Sequence, residues 1–222
     1  MKKKIFIFML LFAVTFSFWG CGTSTLKLVK ANMSEWTKVY FCGETEDFYC
    51  TLNSGVREED YELNGKSGEV VDFALLVVKF TAQPNSSLVR LLLEIDGEGQ
   101  LIDMELNTLN NTYMFDLERQ LSGTEQISVT LNDQTVDLVA ISNDFAVSSD
   151  KALEIASAEF EKKILLKKSA GNLNSEFYLR VLDKKANNFD EIFWCFTVYN
   201  IDNENYSIII SAETGAILAK SN

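Results

Sequence analysis

Carboxylates are the reactive side chains this sequence offers in quantity: 32 Asp and Glu against 20 Lys and Arg, in 222 residues without a single His. The missing imidazole removes every Ser-His and Cys-His scheme and every His-ligated metal site. Acid-pair hydrolysis stays open, since two carboxyl groups can cleave a glycosidic bond unaided. It needs a cleft that drives two pKa values apart, and no spacing here nominates a pair. The densest acidic cluster is Arg57-Glu58-Glu59-Asp60-Tyr61-Glu62, inside an irregular stretch over 53–69. Its acids are hard oxygen ligands of the kind calcium takes, but the alternating acid-x-acid-x-Gly order of a dedicated calcium loop is absent. The stretch reads as a solvated loop, with Arg57, Glu58, Glu59, Asp60 and Tyr61 as a candidate binding loop. No catalytic residue, metal or cofactor is assigned. The net charge of −12 argues against a nucleic-acid partner, because phosphate binding needs a basic footprint.

The first twenty residues read as an address. Lys2, Lys3 and Lys4 precede an apolar run of 15 residues from Ile5 to Trp19, the layout of a secretory leader. A spanning helix needs about 20. Gly20-Cys21 then resembles the lipobox of bacterial lipoproteins, in which a small residue precedes the Cys that takes a diacylglyceryl thioether. Phe18 and Trp19 depart from that pattern, which has Leu and a small residue there. The resemblance implies cleavage before Cys21, lipidation of Cys21, and a chain held outside the cytoplasmic membrane by its lipid. Three lysines leave with the leader and no acids do, so the remainder has 17 basic and 32 acidic residues, a net −15. Such a body is expected to stand off anionic headgroups within a Debye length of about 8–10 Å.

Three cysteines remain, Cys42, Cys50 and Cys195. Cys42 and Cys50 flank Gly43-Glu44-Thr45-Glu46-Asp47, which reads as a turn between two strands. A disulfide is permitted by the export context. It requires the pairing register that centres the turn on Glu46, because diagonal neighbours lie too far apart. Cys195, between Trp194 and Phe196, reads as a small buried hydrophobe.

The elements that must position these groups change character near residue 148. From 34 to 145 the chain alternates short apolar or β-branched runs with turn sequences such as Asp96-Gly97, Asn110-Asn111 and Asn132-Asp133. That pattern predicts eight strands in an antiparallel sandwich or barrel-like domain. Ser148-Ser149-Asp150 then offers helix-capping chemistry. Ala152, Ile155, Ala156, Phe160 and Ile164 make an apolar stripe at spacings of three and four, predicting a helix to about Lys167. Strands follow at 177–182, 192–199, 206–211 and 216–220, the last pair joined through Ala212-Glu213-Thr214-Gly215.

Residues 150 to about 220 resemble the PepSY domain, first described in propeptides of secreted metallopeptidases. The likeness rests on Asp150-Lys151-Ala152-Leu153-Glu154-Ile155-Ala156, on Trp194-Cys195-Phe196-Thr197-Val198, and on the run from Tyr206 through Glu213-Thr214-Gly215 to Leu218. Ser211 and Ala216 stand where that family has acids. The resemblance implies a helix packed on a small antiparallel sheet, without enzymatic activity, and a role in inhibiting or regulating peptidases.

The expected fold is therefore α+β and mostly β, with a signal peptide over 1–20, a tether over 21–33, an all-β domain over 34–147 and a PepSY-like domain over 148–222. The strand 192–199 is apolar on both faces, and one helix covers only one of them. Phe193, Thr197 and Tyr199 on the second face are expected to dock on the β domain or to meet a partner. The expected function is a lipid-anchored extracytoplasmic binding or regulatory protein, with a peptidase or another envelope protein as partner. The alternatives are an accessory lipoprotein whose β domain recognises a ligand, and an acid-pair hydrolase.

Overall fold

The computed structural model describes residues 22–59, 68–169, 172–187, 189–202 and 204–221. The leader, Cys21, and Asp60 and Tyr61 of the candidate loop lie outside the described residues. A first helix, α1 (Gly22–Lys30), leads into β1 (Met33–Glu44), β2 (Phe48–Glu58), β3 (Val70–Phe80), β4 (Leu88–Ile95), β5 (Glu98–Asn107), β6 (Thr112–Leu117), β7 (Ile127–Leu131) and β8 (Gln134–Leu138). Turn chemistry sets the hairpins. Asp96-Gly97 and Asn132-Asp133 both adopt positive φ (52° and 83°; 49° and 63°), the twist that matches two antiparallel strands.

Hydrogen bonding runs in the order β1-β2-β3-β6-β5-β4-β7-β8, antiparallel throughout. The sheet curls until the residue after β8 returns to β1, where Cys42 and Val139 exchange backbone hydrogen bonds of 3.0 and 2.9 Å. Gly43 permits that approach, since a Cβ there would lie 2.5 Å from the Asp137 carbonyl oxygen. Phe41, Cys50, Leu52, Leu76, Leu93, Met104 and Tyr113 fill the inside of the curl.

A short 3-10 turn over Ile141–Asp144 leads to α2 (Ser149–Glu159) and α3 (Glu161–Leu166). The Ser148 side chain caps α2 by accepting from the Lys151 amide at 3.3 Å. The one helix expected over 150–167 is two, because Phe160 leaves helical geometry (φ −101°, ψ 12°). Its ring packs against Tyr206 and Phe196 at 4.5 and 6.4 Å. The remaining elements are β9 (Lys168–Ser169), β10 (Asn172–Leu173), β11 (Ser175–Leu182), α4 (Lys184–Asn187), β12 (Phe193–Asn200), β13 (Tyr206–Ser211) and β14 (Ile217–Ser221). Gly215, at φ 74°, turns the last hairpin. A second core lies between the helices and β11–β13, with Ala152, Leu153, Ala156 and Ile164 against Phe177, Trp194, Phe196 and Ile208.

The expectation of an all-β domain followed by a separate helix-on-small-sheet unit is overturned. β1 pairs in parallel with β11 (Met33 with Phe177, Trp36 with Leu179), so both parts belong to one 12-stranded mixed sheet. The molecule is 54% strand and 16% helical. The reason is the length of β1. Its 12 residues serve β11 near one end and meet Val139 near the other, and local periodicity carries no sign of a parallel pairing between segments about 140 residues apart.

The segment over 21–33 is also more than a tether. In α1, Thr25 and Val29 are 1% and 0% exposed, and Val29 belongs to the second core. The cysteine pair is corrected as well. The β1–β2 register begins as Glu35–Arg57, Trp36–Val56, Thr37–Gly55, which if continued would oppose Cys42 to Cys50. A bulge at Lys38 slips it by one, so Cys42 faces Thr51 and Cys50 faces Gly43. A one-residue slip sends two side chains to opposite faces, and both thiols are free.

Candidate functional site

The site residues named from sequence do not gather. Arg57 and Glu58 lie in β2 rather than in a loop. Arg57 pairs with Asp116 and sits over the Phe73 ring. Glu58 is 3% exposed and accepts from the Ser34 hydroxyl at 2.8 Å and from the Gly68 amide. Glu59 is exposed beside them. Glu58 is thus held by its own strand neighbours, and Arg57 and Glu58 belong to β2 rather than to the expected loop. Asp116 is the carboxylate that burial raises above its ordinary pKa, and its partner is an arginine rather than a second acid.

Phe193, Thr197 and Tyr199 are half-buried on the sheet face away from α2. Phe193 meets Phe189 edge-on at 5.4 Å, Tyr199 meets Tyr178 at 5.3 Å, and Thr197 lies 3.7 Å from the Cys195 sulfur. The expected docking of this face on the β domain is not what joins the two parts. Among the described residues they are joined edge to edge through β1 and β11.

A different group of residues has the makings of a site. On β1 and β2 the residues facing away from the curled core are Tyr40, Cys42 and Glu44, opposite Asn53, Thr51 and Tyr49. β3 extends that face with Val77 beside Thr51 and Lys79 beside Tyr49. The chain leaving β11 passes over this surface, carrying Val181 and Asp183. Between them is a crevice of about 270 Å³ lined by Tyr40, Tyr49, Thr51, Asn53, Val181 and Asp183, with Lys79, Asn110 and Thr112 at one side.

Asp183 is the anchor of the crevice. It is 3% exposed, accepts from the Tyr49 hydroxyl at 2.9 Å and from the Lys185 amide at 2.8 Å. Lys185 stands over the Tyr49 ring at 5.6 Å and pairs with Glu44, so Tyr49 is held from both ends. Tyr40 is different. It is 1% exposed, and its hydroxyl makes no well-formed hydrogen bond but interacts with the Tyr49 hydroxyl and the Asp183 carboxylate beside it. Burial, followed by the Asp183 charge, pushes the Tyr40 phenol above its ordinary pKa. Burial, followed by Tyr40, does the same to Tyr49. Both therefore stay protonated donors at any physiological pH. Burial also raises the Cys42 thiol.

A larger hollow of about 690 Å³ lies near Glu94, Glu125, Asp137 and Asp144. Two of its acids have partners within the fold, Glu125 accepting from the Ser122 and Gly123 amides at 2.7 and 2.8 Å and Glu94 from Ser128, while Asp137 and Asp144 are exposed. Among the walls of these two cavities, Tyr40 presents the buried polar atom without a well-formed hydrogen bond. Nothing in the local sequence marked it. Tyr40 and Tyr49 are ordinary strand residues by pattern, and Asp183 reaches them only through the β1–β11 pairing.

No family model, curated protein or solved structure matches the chain.

Proposed function

We propose that the protein is a lipid-anchored, extracytoplasmic, non-enzymatic binding protein, and that it takes a small hydrogen-bonding ligand in the crevice between Tyr40 and Asp183. The basic leader, the 15-residue apolar run and Gly20-Cys21 support export and anchoring. The observation that carries the binding site is the buried Tyr40 hydroxyl, which touches Tyr49 and Asp183 without a well-formed hydrogen bond to either. A buried polar group bonded poorly costs free energy in the empty protein, and a ligand oxygen or nitrogen would recover it. The crevice is near the lower end of the usual range for ligand pockets, about 300–1,000 Å³, so the ligand is small. Asp183 would accept from it, Tyr40 would donate, and Asn53 can do both.

Ligand-observed NMR of the full chain against small sugars, amino acids and amines tests this reading. A ligand bound by the parent should lose about tenfold in affinity with Tyr40→Phe, the equivalent of about 1.4 kcal/mol. Tyr40→Phe should cost less stability than Tyr49→Phe, because the hydroxyl it removes makes no well-formed hydrogen bond. Ligands indifferent to Tyr40→Phe and to Asp183→Asn would place binding elsewhere.

A further inference from the structure

The residues that touch the start of the described chain carry an unusual surface. α1 opens at Gly22, the residue bonded to Cys21. Thr25, less than a helical turn further on and about 4.5 Å along the axis, donates to Glu161 at 3.2 Å. Glu161 is the first residue of α3. The next seven residues are Lys162-Lys163-Ile164-Leu165-Leu166-Lys167-Lys168. Four of the twenty basic residues of an acidic chain fall in this one stretch.

Ile164 points into the core, 0% exposed, whereas Leu165 and Leu166 are 39% and 82% exposed. Lys162 and Lys168 are exposed and, among the described residues, carry no ion pair. Lys167 is held by Asp202 and Glu204 at 2.5 and 2.6 Å, and Lys163 lies over the Tyr206 ring at 5.0 Å. Two bare leucines between free lysines make the combination that sits in a headgroup layer: apolar side chains enter the acyl boundary while ammonium groups meet lipid phosphates.

We infer that this face, centred on Leu165 and Leu166 and flanked by Lys162 and Lys168, rests on an anionic lipid surface. The inference builds on the reading of Cys21 as the lipid anchor, and two observations point the same way. The chain that would carry the lipid enters α1, and α1 is docked on the helices that bear the patch. The patch is basic where the rest of the molecule is acidic, so it complements anionic headgroups. The repulsion expected from net charge alone is replaced by an oriented approach, because charge within a Debye length of the surface governs it and distant acids are screened.

The test uses the lipidated full chain in vesicles of mixed zwitterionic and anionic lipid, some of it brominated near the glycerol end. Leu166→Trp places a reporter in the patch, and Leu109→Trp, at a position 95% exposed in the β5–β6 turn, serves as the control. After subtraction of parent emission, the tryptophan at 166 should shift to the blue and be quenched, and the one at 109 should do neither. Adding Lys162→Glu and Lys168→Glu to Leu166→Trp should weaken the quenching. Protein that floats with the vesicles while position 166 stays unquenched overturns the patch and leaves the anchor standing. Protein that does not float at all overturns both.

Discussion

Burying a phenol whose hydrogen bonds are poorly formed costs free energy, and Tyr40, 1% exposed, keeps that cost in the wall of the crevice. Its neighbour behaves oppositely. Tyr49→Phe should destabilise the protein by about 1.5–3 kcal/mol, the range for a hydrogen bond to a charged group, because Asp183 loses a donor; denaturant unfolding of the two variants side by side measures the contrast. Alkaline pH gives a second readout. Both phenols have pKa values raised by burial, so the stability they contribute is whole below the unfolded value of about 10. It falls as pH climbs above that, where the unfolded chain releases protons that the native one retains. A Tyr40→Phe, Tyr49→Phe double variant should lose less stability between pH 9 and 11 than the parent, both taken relative to neutral pH. The thiols are testable too. Cys42 and Cys50 should both alkylate in denaturant without reductant, and Cys50, its pKa pushed up to about 12 by burial, should be inert in the native state. A parent mass two units low with neither cysteine modified would restore the disulfide. None of these site residues was legible in the sequence. Acidic clusters attract attention as ligands, but Glu58 is consumed by Ser34 and Gly68, and the carboxylate that lines the crevice is a lone Asp after a strand.

At the scale of elements, more was legible. The strand over 206–211 coincides with the sequence reading, as do the Ser148 cap and the Gly215 turn, because side-chain alternation, capping oxygens and positive φ are local demands. Boundaries that depend on a distant partner were not. β2 continues to Glu58 because β3 pairs with it to Val70, so the irregular stretch is shorter than expected. The bulge at Lys38 left no signal, yet it decides which face Cys42 occupies. Gly43 is the element-scale prediction. Gly43→Val would drive a side chain against the Asp137 carbonyl and the Val136 methyl, costing about 1–3 kcal/mol by overpacking. Hydrogen exchange should locate the damage at the Cys42 and Val139 amides, with β12 and β13 unaffected.

The described residues form two cores that share one 12-stranded sheet, beside a small β9–β10 pair. Trp194 donates to the Val147 carbonyl at 2.7 Å and meets Phe145 edge-on, closing the helical core where the chain leaves the curled strands, while β1 carries hydrogen bonds between the two parts. The crevice belongs to that junction, since Tyr40 and Asp183 come from opposite sides of it. A molecule built this way should unfold as a unit, because melting either part strips β1 of a partner and opens the site. Local composition suggested the reverse, a break near residue 148, since a change from alternating strands to a helical stripe looks the same whether the sheet stops or continues. Calorimetry of the full chain bears most directly on the point. The account predicts one transition, with van't Hoff and calorimetric enthalpies equal. Two separated transitions, with the Tyr40 crevice lost at the first, would contradict it.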